Sequence, residues 1–346
     1  MLENNKQTSN RSAELSGSQQ CSLAIVVPVF NEAEVIDRFY ARTKQVVKAL
    51  APVTCQLIFV DDGSTDDSYY KLTRLVDRDP SVSVIRFSRN FGHQVAITAG
   101  IDLAQSDAVV VIDADLQDPP EVITQFVEKW QEGYDVVYGV REKRVGESPL
   151  KLLTASVFYR LLKQLTNVDI PLDTGDFRLI SRRVITQFKE IRERDRFIRG
   201  LISWVGFKQI GISYVREKRY AGETKYPYRK MIKFALDGLT SFSNIPLKLA
   251  SWLGYFTSLL AFLYVCVVFT QKALGYTVQG WATIMVGMLF LGGVQLICLG
   301  ILGEYIGRIF YEIKKRPLYI IQEVYGNSDF MSIDDVQSSH SFTGSS

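Results

Sequence analysis

"VVVIDADLQDPPE", Val109 to Glu121, runs a β-branched apolar stretch into three aspartates, Asp113, Asp115 and Asp118. A strand sets residues two apart on one face, so Asp113 and Asp115 are expected to point together while Ala114 faces the other side. Two like charges a few ångströms apart repel by roughly 4 kcal/mol at an effective dielectric near 20, and a cation between them relieves that repulsion. Hard oxygen ligands suit Mg²⁺ or Mn²⁺, which complete their coordination with water and substrate phosphates. The other reading is a solvated turn whose aspartates cap a helix beginning around Pro119 and Pro120. Spacing alone leaves both open.

Working outward, "SLAIVVPVF" (22–30), "CQLIFVDDGS" (55–64), "VSVIRFS" (82–88) and "AVVVID" (108–113) read as buried strands. Between them, Val35, Phe39, Val46 and Leu50 recur at helical spacing, and helices are expected from about Asp66 to Val76 and over "GHQVAITAGIDLAQ". Strands alternating with helices predict βαβ units and a parallel sheet covered on both faces. Functional groups in such sheets gather at the carboxyl ends of the strands. Asn31 with Glu32, Asp61 with Asp62, and Asp113 with Asp115 all fall there, so one crevice is expected to hold them.

The chain has 346 residues, 47% of them hydrophobic, and a net charge of only +3, which indicates a globular domain with an added apolar part. Four scattered cysteines (Cys21, Cys55, Cys266, Cys298) without a CxxC pair indicate neither a zinc site nor a disulfide framework. With only His93 and His340, chemistry that needs a His base or a His-rich metal cluster is disfavoured. Residues 1–21 are polar and lack an apolar core, so a disordered tail is expected rather than a signal peptide, and the C-terminal "SSHSFTGSS" reads alike.

Two uncharged runs, Leu249–Gln271 and Trp281–Gly303, are each long enough to cross a hydrocarbon layer of roughly 30 Å. A buried hairpin in a soluble core is the competing reading. Lys225, Arg229, Lys230, Lys233 and Lys248 precede the first run, and Arg308, Lys314, Lys315 and Arg316 follow the second. Only Lys272 lies between, so both termini and the α/β domain are expected on the cytoplasmic side of the inner or plasma membrane. "RKMIKFALDGLTSFSNIPLKL" has an apolar face at helical spacing with lysines opposite, the pattern of an interfacial helix or of one packed on the soluble domain. The basic "YEIKKRPLY" could likewise rest on anionic headgroups.

"VVPVFNE", "FVDDGSTDDS", "NFGHQVAITAG", "DADLQDPPE", "DTGDFRLISRR" and "AGETKYPYRKM", in that order and followed by two apolar spans, resemble GtrB-type polyprenyl-phosphate glycosyltransferases of glycosyltransferase family 2, relatives of dolichol-phosphate mannose synthases. The resemblance covers roughly residues 22–325. It implies an α/β GT-A (Rossmann-like) catalytic domain plus two transmembrane helices with interfacial amphipathic helices. The expected reaction is inverting transfer of a sugar, glucose first, from a UDP-sugar donor to polyprenyl (undecaprenyl) phosphate at the cytoplasmic membrane face. The expected domains are a tail (1–21), the catalytic domain (22–222), juxtamembrane helices (223–248), the anchor (249–271 and 281–303) and a cytoplasmic C-terminal segment (304–346).

Carried over residue by residue, the resemblance puts Pro28, Asn31, Glu32, Asp61, Asp62, Asp113 and Gln117 at the donor, and the metal, Mg²⁺ or Mn²⁺, on Asp115 with Asp113. An Asx-turn closing the strand is the alternative for Asp61 and Asp62. Asp176 maps to the proposed base. A phosphate monoester is largely dianionic at neutral pH, so Asp176 is expected to orient substrate as much as to accept a proton. The acceptor phosphate falls to Arg141, Lys151, Arg219 and Lys225, with Arg141 the strongest candidate because a guanidinium binds phosphate in bidentate fashion. His93 is assigned to packing or a loop hydrogen bond. The rival functions are a GDP-mannose-dependent synthase and a catalytically silent membrane scaffold. The QxxRW signature of processive synthases is absent, and the glycines of the second span permit a homo-oligomer.

Overall fold

The computed structural model describes residues 21–142, 174–194, 196–217, 245–275 and 280–327. Its centre is four parallel strands: β1 (Ser22–Val29), β2 (Thr54–Asp61), β3 (Val82–Phe87) and β4 (Ala108–Val111). Helices α1 (Ile36–Ala49), α2 (Ser68–Arg78) and α3 (His93–Leu103) connect them, and α4 (Val122–Gln131) leads on to β5 (Val136–Arg141). After β6 (Thr174–Ser181), helices α5 (Arg182–Glu190) and α6 (Ile198–Val205) precede β7 (Gln209–Tyr214). The sheet is mixed, not purely parallel as the βαβ pattern predicts: β6 runs antiparallel between β4 and β5, in the order β7-β5-β6-β4-β1-β2-β3. The eighth strand, described below, pairs with β3.

Alternation along the central strands splits the core into two layers. Ile25, Val27, Leu57, Phe59 and Val110 pack under α1, α2 and α4 on one face. Ala24, Val26, Ile58, Val60, Val109 and Val111 meet α3, α5 and α6 on the other. Helix α3 is buried along most of its length and lies so close to β1 that a Cβ on Gly100 would fall 2.2 Å from Val26 Cγ1. Gly100→Ala therefore forces the helix off the sheet, and overpacking of this kind costs about 2 kcal/mol. Thermal denaturation is expected to register it as a fall of about 6 °C; an unchanged midpoint would show that the layer yields.

Helices α7 (Ile245–Ala273) and α8 (Trp281–Ile313) form a hairpin. The apolar windows within Leu247–Gln271 and Val286–Ile313 are only 6% and 0% buried, so these helices are not the core of a soluble domain. Such an outward apolar surface needs an apolar surrounding. Helix α8 continues ten residues beyond the expected end at Gly303. The chain then returns to the catalytic domain as β8 (Ile321–Gly326), antiparallel to β3 at the sheet edge. Only part of the basic segment is free to face headgroups, because Tyr319 is buried in the second core layer. The expected terminal tails lie outside the described residues, as does the interfacial helix apart from residues 245–249, which open α7.

Candidate active site

Strand β4 ends at Val111, so Asp113 and Asp115 lie beyond it and do not owe their proximity to strand alternation. Asp115 instead closes a turn, Oδ1 accepting from Gln117 N at 3.0 Å, and Leu116 between them takes a left-handed φ of 58°. That conformation is costly for a leucine and persists only where the surroundings impose it.

The β4–β6 register ends with Val111 opposite Arg178, and just past it Asp113 comes close enough to Asp176 on β6 for the one charge to act on the other. His93, at the start of α3, places Nε2 3.4 Å from both Asp113 Oδ1 and Asp176 Oδ2. Gln94 donates to Asp176 Oδ2 at 2.9 Å while its carbonyl oxygen accepts from Ile198 N at the start of α6. From the next position of α6, Arg199 Nε approaches Asp176 Oδ1 at 3.1 Å.

These contacts separate the two carboxyls electrostatically. Burial raises the Asp113 pKa to about 6; His93 opposes the rise, and Asp176, Asp118 and Asp115 add to it. Asp176 is buried too, yet Arg199, His93 and Arg178 hold it well below the usual carboxylate range. A carboxylate so stabilised is a weak base and a strong hydrogen-bond acceptor. Burial lowers the His93 pKa, but Asp113 and Asp176 outweigh it and raise the imidazole to about 9. A histidine with a raised folded pKa contributes stability that is complete below its unfolded value near 6.5 and is lost as pH rises through about 9. Under chelator, the melting midpoint of the protein is expected to fall across that window. His93→Gln should flatten this dependence, and an equally steep variant would mean that another group carries it.

Asp113 Oδ1 is buried without a hydrogen bond, and Asp115 is 6% exposed. Among the described residues no group of three or more His, Cys, Asp or Glu side chains could enclose an ion alone. One or two carboxylates completed by substrate oxygens is the way Mg²⁺ is usually held. The donor set, all hard oxygen and mutually repulsive, fits such a cation.

Of the residues expected at the donor, Asn31 adopts φ 56°, its Oδ1 accepting from Thr65 N at 2.8 Å, and Ser68 Oγ accepts from Glu32 N at 2.9 Å. Pro28 is buried in β1 opposite Val60, beyond the last residue paired with β4, so its missing N–H costs that ladder nothing. Asp61 is 0% exposed, faces Arg86 and accepts from Ser64 N, three residues on, so it closes the turn after the strand without the two-residue bond of an Asx-turn. Asp62 accepts from Phe91 N (2.6 Å) and Gly92 N (2.9 Å), tying its loop to the start of α3. Burial raises the pKa of both. On the other side, Arg141 ends β5 and meets Asp118 and Tyr214. Lys151, Arg219 and Lys225 lie outside the described residues.

The Glycosyl transferase family 2 pattern matches residues 24–188, from β1 through β6 into α5, and the GtrB C-terminal hairpin matches 245–309. A glycosyltransferase of Bacillus subtilis (strain 168), YkcC, is 53% identical over 310 residues, covering 89% of this chain and 96% of the relative. The SfII prophage-derived bactoprenol glucosyl transferase of Shigella flexneri is 43% identical over 302 residues, 87% and 97% of the two chains. The chain belongs to glycosyltransferase family 2. Among solved structures, the mannosyltransferase PcManGT of Pyrobaculum calidifontis is similar at a TM-score of 0.43 and 16% identity, over 85% of this chain and 94% of that one. The protein is thus a glycosyltransferase with a GtrB-type hairpin, and its paired α7–α8 anchor makes it membrane-associated.

Two residues of this glycosyltransferase site escaped the sequence reading. The sequence gives His93 packing or a loop hydrogen bond, whereas the structure sets its imidazole between the carboxylates of Asp113 and Asp176. Asp118, in the same motif as Asp115, had no role, yet it is 1% exposed and lies within 3.6 Å of two arginines. The local signal for His93 was its place just after Gly92 at a helix start on the sheet's carboxyl edge.

Proposed function

We propose that this glycosyltransferase moves a sugar, glucose being the expected one, from a UDP-sugar to a polyprenyl phosphate, with inversion at the anomeric carbon. The observation that carries the chemistry is the buried, hydrogen-bond-free Asp113 Oδ1 beside Asp115, Asp118 and Asp176, at the sheet edge where donors bind in α/β folds. The lipid acceptor is supported by the GtrB hairpin and by relatives named as bactoprenol glucosyl transferases.

Asp115 with Asp113 would hold Mg²⁺ or Mn²⁺, which when bound neutralises charge on the departing diphosphate. An oxygen of the lipid phosphate forms the new bond to the anomeric carbon as the bond to UDP breaks. The acceptor arrives largely ionised, so Asp176 has little proton to take. Fixed by Gln94 and Arg199, it orients hydroxyls of the sugar or the incoming acceptor. Asn31, Glu32 and Gln117 are proposed to receive the nucleotide; for Asp61 and Asp62 to do so, their present bonds would have to be exchanged. The charge flanking the spans supports a cytoplasmic catalytic domain.

Purified protein in detergent with a divalent cation and undecaprenyl phosphate is expected to release UDP from UDP-glucose only when the lipid is present. Parallel reactions with UDP-N-acetylglucosamine and GDP-mannose fix the donor. Absence of turnover with all three would overturn the reading.

A further inference from the structure

Resting on the reading above, we infer that Arg216 joins Arg141 in a two-guanidinium phosphate subsite, and that Asp118 and Tyr214 are the positioning residues that set the pair. Asp118 is a buried carboxylate between two cations: Arg141 Nη2 lies 3.6 Å from Oδ2 and Arg216 Nε 3.6 Å from Oδ1. Tyr214, itself buried, donates to Asp118 Oδ1 at 2.5 Å and accepts from Arg141 Nε at 3.3 Å. One carboxylate against two guanidiniums leaves one positive charge in excess. Neither arginine is drawn to hydrogen-bonding distance of the acid, so most of their five N–H donors each remain available. Both side chains are partly exposed, at 28% and 25%, whereas the acid beneath them is closed off.

The rest of the local structure holds this pair in place. Arg216 sits on a segment clamped over the aspartate loop by Glu217 N donating to Gln117 O at 2.9 Å. Glu217 is gripped by Arg42, which also binds Glu121 at the start of α4. Arg141 packs against Gly175, where a Cβ would fall 2.4 Å from Nη2 and displace the guanidinium from this position. Gly175 adjoins Asp176, and Asp113 is near enough to favour the charged form of Arg141, which Asp118 favours more and burial opposes. The excess cation therefore borders the carboxylates assigned to the metal. A phosphate oxyanion fits the two arginines: it offers acceptors to their planar donors and a charge opposite to theirs. It has two sources in this reaction, the lipid monoester and the donor diphosphate.

Two measurements on the full-length chain in detergent test the inference. Isothermal titration with inorganic pyrophosphate under chelator reads the arginines without a metal. Arg216→Gln is expected to weaken that binding about tenfold and Arg216→Lys less. In steady-state assays, a raised KM for the lipid with an unchanged KM for the nucleotide sugar assigns the subsite to the acceptor. The converse assigns it to the donor. Equal pyrophosphate binding and unchanged KM values in Arg216→Gln would overturn the inference. So would an Arg216→Lys variant as defective as Arg216→Gln with a matching fall in melting midpoint, since that pattern belongs to a structural ion pair. Should the wild type turn over no nucleotide sugar, the calorimetric arm still decides the subsite, and only the reaction assigned above falls.

Discussion

Asp115→Asn is expected to reduce lipid-dependent UDP release about a thousandfold, the scale on which a preorganised charge at a leaving group acts. Asparagine keeps the oxygen that accepts from Gln117 N, so the turn holding Leu116 in its left-handed conformation is retained. It loses the charge and exchanges the second oxygen for an NH2 group. The melting midpoint under chelator should hold or rise slightly, because one of the acids that repel Asp113 is removed. Activity near that of the wild type would take the metal out of the mechanism. A fall in activity together with unfolding would instead make Asp115 a structural residue, and circular dichroism on the same preparation separates the two.

The largest effect on stability is expected at the far end of the chain. Tyr319, just beyond the hairpin, stacks on Phe87 at 5.4 Å and 11°, and its hydroxyl donates to Asp102 Oδ2 at 3.2 Å. Arg192 takes the same oxygen at 2.7 Å, so one tyrosine links the C-terminal segment, α3 and the loop after α5. Tyr319→Ala leaves a ring-sized cavity in the second core layer and is expected to cost about 4 kcal/mol. For a domain of this size that is a fall of about 12 °C in the melting midpoint. Tyr319→Phe keeps the ring and should cost about 1 kcal/mol, the worth of one hydrogen bond. Truncation after Arg316 goes further, since removing β8 bares the edge of β3 and invites aggregation through its unpaired backbone. A truncated chain that melts like the full one would refute the claim that β8 belongs to the catalytic domain.

The strap also fixes geometry. Glu312 near the end of α8 accepts from Arg194 N at 2.7 Å, and Ser88 N donates to Ile320 O at 3.0 Å. The catalytic domain is thus tied to the anchor at a second place besides the segment leading into α7. In the reaction proposed above, a lipid phosphate confined to the membrane plane has to meet the sugar, and this second link limits the loss of that alignment.

What the sequence determined by itself is whatever depends on neighbours a few positions away. β-branched runs marked β1 to β4, the spacing of Val35, Phe39 and Val46 marked α1, and two uncharged runs marked α7 and α8. The position of the acids just beyond strands was legible for the same reason, since a run of apolar residues ending in aspartate is a local feature. Tertiary structure alone decided that β6 enters antiparallel beside β4 and so sets Asp176 against Asp113. It alone carried His93 between them, brought Arg141 and Arg216 to Asp118, and turned the C-terminal segment back as β8. Strand pairing is a choice between partners far apart in the chain. It is settled by which faces bury together and which charges find a counter-charge, and no local period records that outcome.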